Sequence, residues 1–113
     1  MKIGLSTVGC PDWDLDMIIA QGSKMGYQAV ELRGLQGEMH LPALPALAKD
    51  PTALAARFAE AKLDIACLAT GNCFHSQDKK EVARNKGQVR EFIELAQQLG
   101  CPFVRVFNRS SLT

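Results

Sequence analysis

Short apolar segments alternate with longer amphipathic ones along the chain. A first strand is predicted around Ile3 to Ser6, after which Asp12 or Asp14 can cap a helix carrying Leu15, Ile18, Ile19, Gly22 and Met25 on one face. Gly26 ends that helix, and Ala29 to Arg33 reads as the second strand. After a long connection, Asp50-Pro51 supplies an N-cap and a first-turn proline for a helix bearing Leu54, Ala55, Phe58 and Ala61. Ile65 to Ala69 is the third predicted strand. Asp78 and Glu81 resemble a capping box ahead of the longest helix, with a stripe of Val82, Val89, Ile93, Ala96 and Leu99 that Gly100 and Pro102 stop. Phe103 to Phe107 is the fourth strand.

Three passages share one grammar, a helix end, a glycine or its equivalent, then a strand: Met25-Gly26-Tyr27, Lys62-Leu63-Asp64 and Leu99-Gly100-Cys101. Strands that alternate with helices pair in parallel through right-handed crossovers, which leaves an open doubly wound sheet or part of a (β/α)8 barrel. The strand faces favour the barrel. Glu31 and Arg33 oppose Val30 and Leu32, and Arg105 opposes Val104 and Val106, whereas the central strands of a doubly covered sheet are apolar on both faces. In a barrel the apolar set, Val106 included, lies under helices and the charges point into the mouth. The expectation is therefore an α/β partial (β/α)8 barrel of about four parallel strands and three helices, forming a single half-barrel-like domain over residues 1–113.

Composition narrows the function classes. The 113 residues are 47% hydrophobic and 22% charged, with 13 Lys and Arg against 12 Asp and Glu, as in an ordinary globular domain. That balance supplies no field for a polyanion, so nucleic acid is not an expected partner. The apolar runs are strand-sized, too short for a bilayer, and the N-terminus lacks a signal-peptide core, which points to the cytoplasm. Cys10, Cys67, Cys73 and Cys101 are widely spaced without a C-x-x-C pair and read as reduced thiols, Cys67 as a small buried hydrophobe. No Walker loop, G-x-G-x-x-G or G-x-S-x-G occurs.

Ile3-Gly4-Leu5-Ser6-Thr7-Val8-Gly9-Cys10-Pro11-Asp12-Trp13, the later Gly26-Tyr27-Gln28-Ala29-Val30-Glu31-Leu32-Arg33-Gly34, Cys73-Phe74-His75-Ser76 and Leu99 to Phe107 together resemble the sugar phosphate isomerase/epimerase superfamily. These are the xylose isomerase-like TIM barrels, which include the endonuclease IV-like enzymes. The resemblance covers almost the whole chain and is to the N-terminal portion of such barrels. It implies a divalent metal and proton transfer next to a sugar carbonyl. It also implies that the metal-binding residues and acid/base glutamates come mainly from later strands, largely outside this chain. The expected function is thus the N-terminal part of a metal-dependent sugar or sugar-phosphate isomerase/epimerase-like barrel, not catalytically complete alone. The alternative is a noncatalytic half-barrel that binds or assembles.

Four residues are the substrate-binding candidates: Glu31, Arg33, His75 and Arg105. Glu31 and Arg33, at i and i+2, share a strand face; they either contact substrate or form a structural ion pair. Arg105 either grips a hydroxyl or phosphate or neutralises Glu31. His75, in the loop after the third strand, reads as a hydrogen-bonding or substrate-contact residue ahead of a metal ligand, since no second ligand accompanies it. No metal ligand and no catalytic residue is assigned. Cys10 reads as a turn-packing residue, and Trp13 as a sugar-stacking ring or a hydrophobic anchor. The basic residues from Lys79 to Arg90 read as a solvated face, His40 as a surface residue, and its segment, Leu35 to Lys49, as part of a lid. The lumen side, including Leu68, Phe103 and Phe107, lacks an opposite wall, and two strand edges are open, so the chain is expected to form a homo-oligomer.

Overall fold

Four parallel strands lie in the order of the sequence. They are β1 (Gly4–Ser6), β2 (Ala29–Leu32), β3 (Asp64–Cys73) and β4 (Val104–Phe107), in one sheet of order β1-β2-β3-β4. The structure is a computed structural model and describes residues 3–10, 12–73 and 78–107. The crossovers carry three main helices, α1 (Leu15–Lys24), α3 (Pro51–Glu60) and α4 (Lys79–Leu99), and a single turn, α2 (Pro45–Ala48), ahead of α3.

Short polar side chains start the main helices. The carboxylates of Asp14, Asp50 and Asp78 accept from the backbone N–H groups of Met17, Ala53 and Lys80, satisfying donors that a helix N-terminus leaves orphaned. All three helices also stop the same way. Gly26, Lys62 and Gly100 take left-handed backbone angles, and the next residue donates back five positions: Tyr27 to Gly22, Leu63 to Phe58, Cys101 to Ala96. The repeated grammar of the sequence is thus one repeated hydrogen-bonded stop that turns the chain into each strand.

Core residues come from one face of the sheet and the helices laid on it. Val30, Leu32, Ile65 and Leu68 pack with Leu15, Ile18, Leu54, Phe58, Phe92, Leu95 and Leu99. Burying each large side chain contributes about 1.5–3 kcal/mol before entropy is counted. The stripe of α4 differs from the one expected. Phe92, Leu95, Ala96 and Leu99 are buried with Asn85, whereas Ile93 is exposed and Val82 and Val89 are half-buried.

Two further expectations are corrected. Val30 pairs with Ile65, but Glu31 pairs with Cys67, so Ala66 is an extra residue that bulges from β3 and reverses its facing thereafter. Leu68 consequently turns into the helix-covered core, fully buried, and not toward the lumen; Cys67 takes the open face, half-buried. The segment from Leu35 to Lys49 is likewise no lid. Its Leu35, Leu41 and Leu47 are almost wholly buried and belong to the main core. At the far edge, Val106 remains exposed, because none of the described helices covers it.

Candidate functional site

On the helix-free face, a salt bridge crosses the sheet. Strict alternation from the buried Val30 and Leu32 places Glu31 opposite the helices, and Arg105 pairs with Ala69 on β3. The Arg105 Nη2 atom lies 3.6 Å from Glu31 Oε1, with both side chains partly exposed. Two of the sequence candidates, from strands β2 and β4, are therefore brought together above β3. A pair so placed gains little stability of its own, because solvent screens it. Its arrangement instead fixes a carboxylate and a planar guanidinium side by side on the helix-free face.

Cys67 completes this patch, which the sequence alone did not indicate. Burial pushes its thiol above the ordinary value and the Glu31 charge adds to the rise; the Arg105 guanidinium and backbone amide pull the other way. Cys10 and Cys101 are buried free thiols, also raised by burial, and so are poor nucleophiles at neutral pH. A cavity of about 730 Å³ touches Glu31 and Cys67 but not Arg105, and its wall also includes Ala55, Phe58, Leu63 and Leu99 from the helix side of the sheet.

Arg33 sits where β2 ends, and its backbone is held by Thr7. The buried Thr7 hydroxyl accepts from the Arg33 N–H at 2.7 Å and has the carbonyls of Arg33 and Gly34 at 3.0 and 3.1 Å for its own proton. One side chain thus ties the chain after β1 to the chain after β2. Beyond it, Gln36 and Gly37 form a two-residue turn with positive φ at both positions, closed by Leu35 and Glu38 bonding to each other. Arg33, Val8, Leu35 and Met39 line a cleft of about 350 Å³ there.

A second polar cluster stands at the C-terminal end of β3. The buried Asn72 donates through its side-chain amide to Asn85 Oδ1 at 2.7 Å and to Gln88 Oε1 at 2.5 Å, while Asn85 donates to the Glu81 carbonyl. Close by, His40 places its ring edge-on to Phe92 and its Nε2 2.5 Å from Glu91 Oε2. His40 is therefore a half-buried brace between the connecting segment and α4, not a surface residue. A cleft of about 390 Å³ opens between His40, Asn72, Glu81, Arg84 and Gln88. The signal for it was the trio of amides at 72, 85 and 88, which apolar periodicity passes over. His75 lies outside the described residues.

The described residues supply no ready-made ligand set for the implied divalent metal. Among the described residues no group of three or more His, Cys, Asp or Glu side chains could hold a metal ion, and the Glu31 carboxylate faces a guanidinium. No helix among them is long and apolar enough to cross a membrane.

No family model matches the sequence, and no curated protein matches it. Among solved structures, the chain is similar to the probable 3-DHS dehydratase AsbF involved in petrobactin synthesis from Bacillus anthracis, at 15% identity and a TM-score of 0.74. The match covers 95% of this chain and 38% of that one, so the chain spans well under half the length of the enzyme it superposes on. With four parallel strands and three main helices, the chain is α/β and has the fold of part of a TIM barrel.

Proposed function

We propose that this chain forms one side of a (β/α)8 enzyme barrel of the isomerase, epimerase or dehydratase kind, acting on a small polyhydroxylated substrate such as a sugar or sugar phosphate. The observation that carries the reading is the Glu31–Arg105 pair on the helix-free face, the side on which a barrel encloses its ligand. In this reading Arg105 donates to a substrate hydroxyl or phosphate, Glu31 accepts from a neighbouring hydroxyl, Arg33 contacts the substrate at the rim, and His75 is carried over from the sequence as a further substrate contact. The chain's part is to bind and orient. No proton-transfer step is assigned to Glu31, whose carboxylate is engaged by Arg105, and none is routed through a metal.

The test is a binding titration followed by nuclear magnetic resonance, with xylose as a neutral probe and fructose 6-phosphate as an anionic one. The expected result is binding of at least one probe, weakened about tenfold or more in Arg105→Gln, with the variant still folded. Absence of binding by both probes, or an Arg105→Gln variant that binds as the original does, overturns the reading. A noncatalytic assembly module is the second reading, favoured by the free outer edges of β1 and β4 in the described sheet.

A further inference from the structure

Asn72, near the C-terminal end of β3, is 8% exposed and is held on two sides. Its backbone N–H donates to the buried Thr70 hydroxyl at 3.1 Å, and its side-chain amide donates to Asn85 and Gln88 on α4. Which end of each amide faces which is settled by one bond. Asn85 Nδ2 donates to the Glu81 carbonyl at 2.9 Å, so Asn85 turns its Oδ1 to Asn72; Asn72 must then present Nδ2, and Gln88 must accept with Oε1. Two groups are left over. Asn72 Oδ1 and Gln88 Nε2 have no hydrogen-bond partner among the described residues.

The leftover oxygen is not sealed in. Among the described residues no buried side-chain nitrogen or oxygen lacks a partner, so Asn72 Oδ1 must reach open space, and the cleft of about 390 Å³ that Asn72 and Gln88 line supplies it. That volume is in the range of small-molecule sites. The Met39 thioether and the Phe92 ring contribute apolar wall, and Arg84 stands 3.9 Å from Glu81, so the charges at the rim offset one another. The arrangement suits a neutral ligand, to which it offers an acceptor, a donor and an apolar surface.

We propose that this cleft is a binding site for a small neutral molecule that carries a carboxamide or lactam on a flat ring. Asn72 gives Gln88 one hydrogen bond and takes none back, so half of an amide-to-amide pair is open. A ligand amide completes it, its N–H donating to Asn72 Oδ1 and its carbonyl accepting from Gln88 Nε2, with the ring against Met39 and Phe92. A polar group more than nine-tenths buried gains most from such a partner, because little water competes for it. The site lies on the helix side of the sheet, where Asn72 meets α4, and the Glu31–Arg105 pair lies on the other. Binding here therefore goes beyond the proposed function and does not depend on it.

Nicotinamide is the probe, and nicotinate, which keeps the ring and the carbonyl oxygen but has no amide N–H, is the comparison. The side-chain amide resonances of Asn72 and Gln88, followed by nuclear magnetic resonance on the full chain as each compound is added, decide it. The expected result is a saturable shift of both resonances with nicotinamide, and binding of nicotinate weaker by about tenfold or more. Gln88→Glu keeps an oxygen that accepts from Asn72 and loses the free donor. It is expected to stay folded, which circular dichroism checks, and to bind nicotinamide about tenfold or more weakly. The resonances of the original chain give their answer whether or not that variant folds. Shifts confined to other residues, or no saturable shift up to about ten millimolar, overturn the proposal. So does nicotinate bound as well as nicotinamide, or a folded Gln88→Glu that binds as the original does.

Discussion

Cys67 stands beside Glu31 because β3 carries one residue more than β2 across their pairing. With Ala66 absorbed as a bulge, the thiol reaches the helix-free face next to a carboxylate and a guanidinium, and Leu68 takes its place in the core.

Alkylation mapped by mass spectrometry reads this placement directly. Cys67 is expected to react ahead of the buried Cys10 and Cys101, with a rate that climbs through the alkaline range because its thiol is raised above the ordinary value. Burial and the negative charge of Glu31 both oppose the thiolate, so Glu31→Gln lowers the thiol's pKa and speeds the reaction at pH 8. Removing the Arg105 charge with Arg105→Gln slows it. Equal rates in the three proteins would contradict the arrangement.

Thr7→Val is expected to cost about 1–3 kcal/mol in urea unfolding, since the buried Thr7 hydroxyl accepts from the Arg33 N–H and valine cannot. Thr7→Ser, which keeps the hydroxyl, should lose much less. A Val variant as stable as the original would show that water replaces the hydroxyl there.

Leu47→Ala separates a structural connection from a mobile cover. Leu47 is fully buried in the main core, so its truncation is expected to destabilise the whole domain by about 2–5 kcal/mol. If thermal unfolding moved by less than a degree, the segment would be a lid after all.

Lys62→Gly is expected to stabilise the chain by about 0.5–1 kcal/mol. Lys62 holds the left-handed position after α3 that glycine holds after α1 and α4, and its Cβ is disfavoured there. Calorimetry should show a higher unfolding temperature; a lower one would mean the lysine makes contacts that outweigh the strain.

The sequence made the frame legible because its signals are local. Asp14, Asp50 and Asp78 before helices, and Gly26 and Gly100 after them, act within a few residues of chain. The open-face pairing of Glu31 with Arg105 was legible too, from alternation around Val30 and Val104. What escaped depends on partners far along the chain. The bulge at Ala66 carries no residue signature, because alanine fits a regular strand as well as a bulge, and it inverted the places of Cys67 and Leu68. Asn85 is buried in mid-helix only because Asn72 faces it, which no helical periodicity encodes. Leu35, Leu41 and Leu47 follow neither a strand nor a helix period, so their shared burial was hidden by irregular spacing.

Sequential strand order also bears on how the chain reaches its fold. Each strand pairs with the strand formed just before it, so β2 finds β1, β3 finds β2 and β4 finds β3, with no pairing that waits for a distant segment. Loops closed one at a time between neighbours cost less entropy than a long closure made at once. The repeated stop after each helix delivers the next strand to an edge that already exists. A chain emerging from its N-terminus can therefore dock unit by unit, and the exposed edge travels forward with synthesis from one strand to the next.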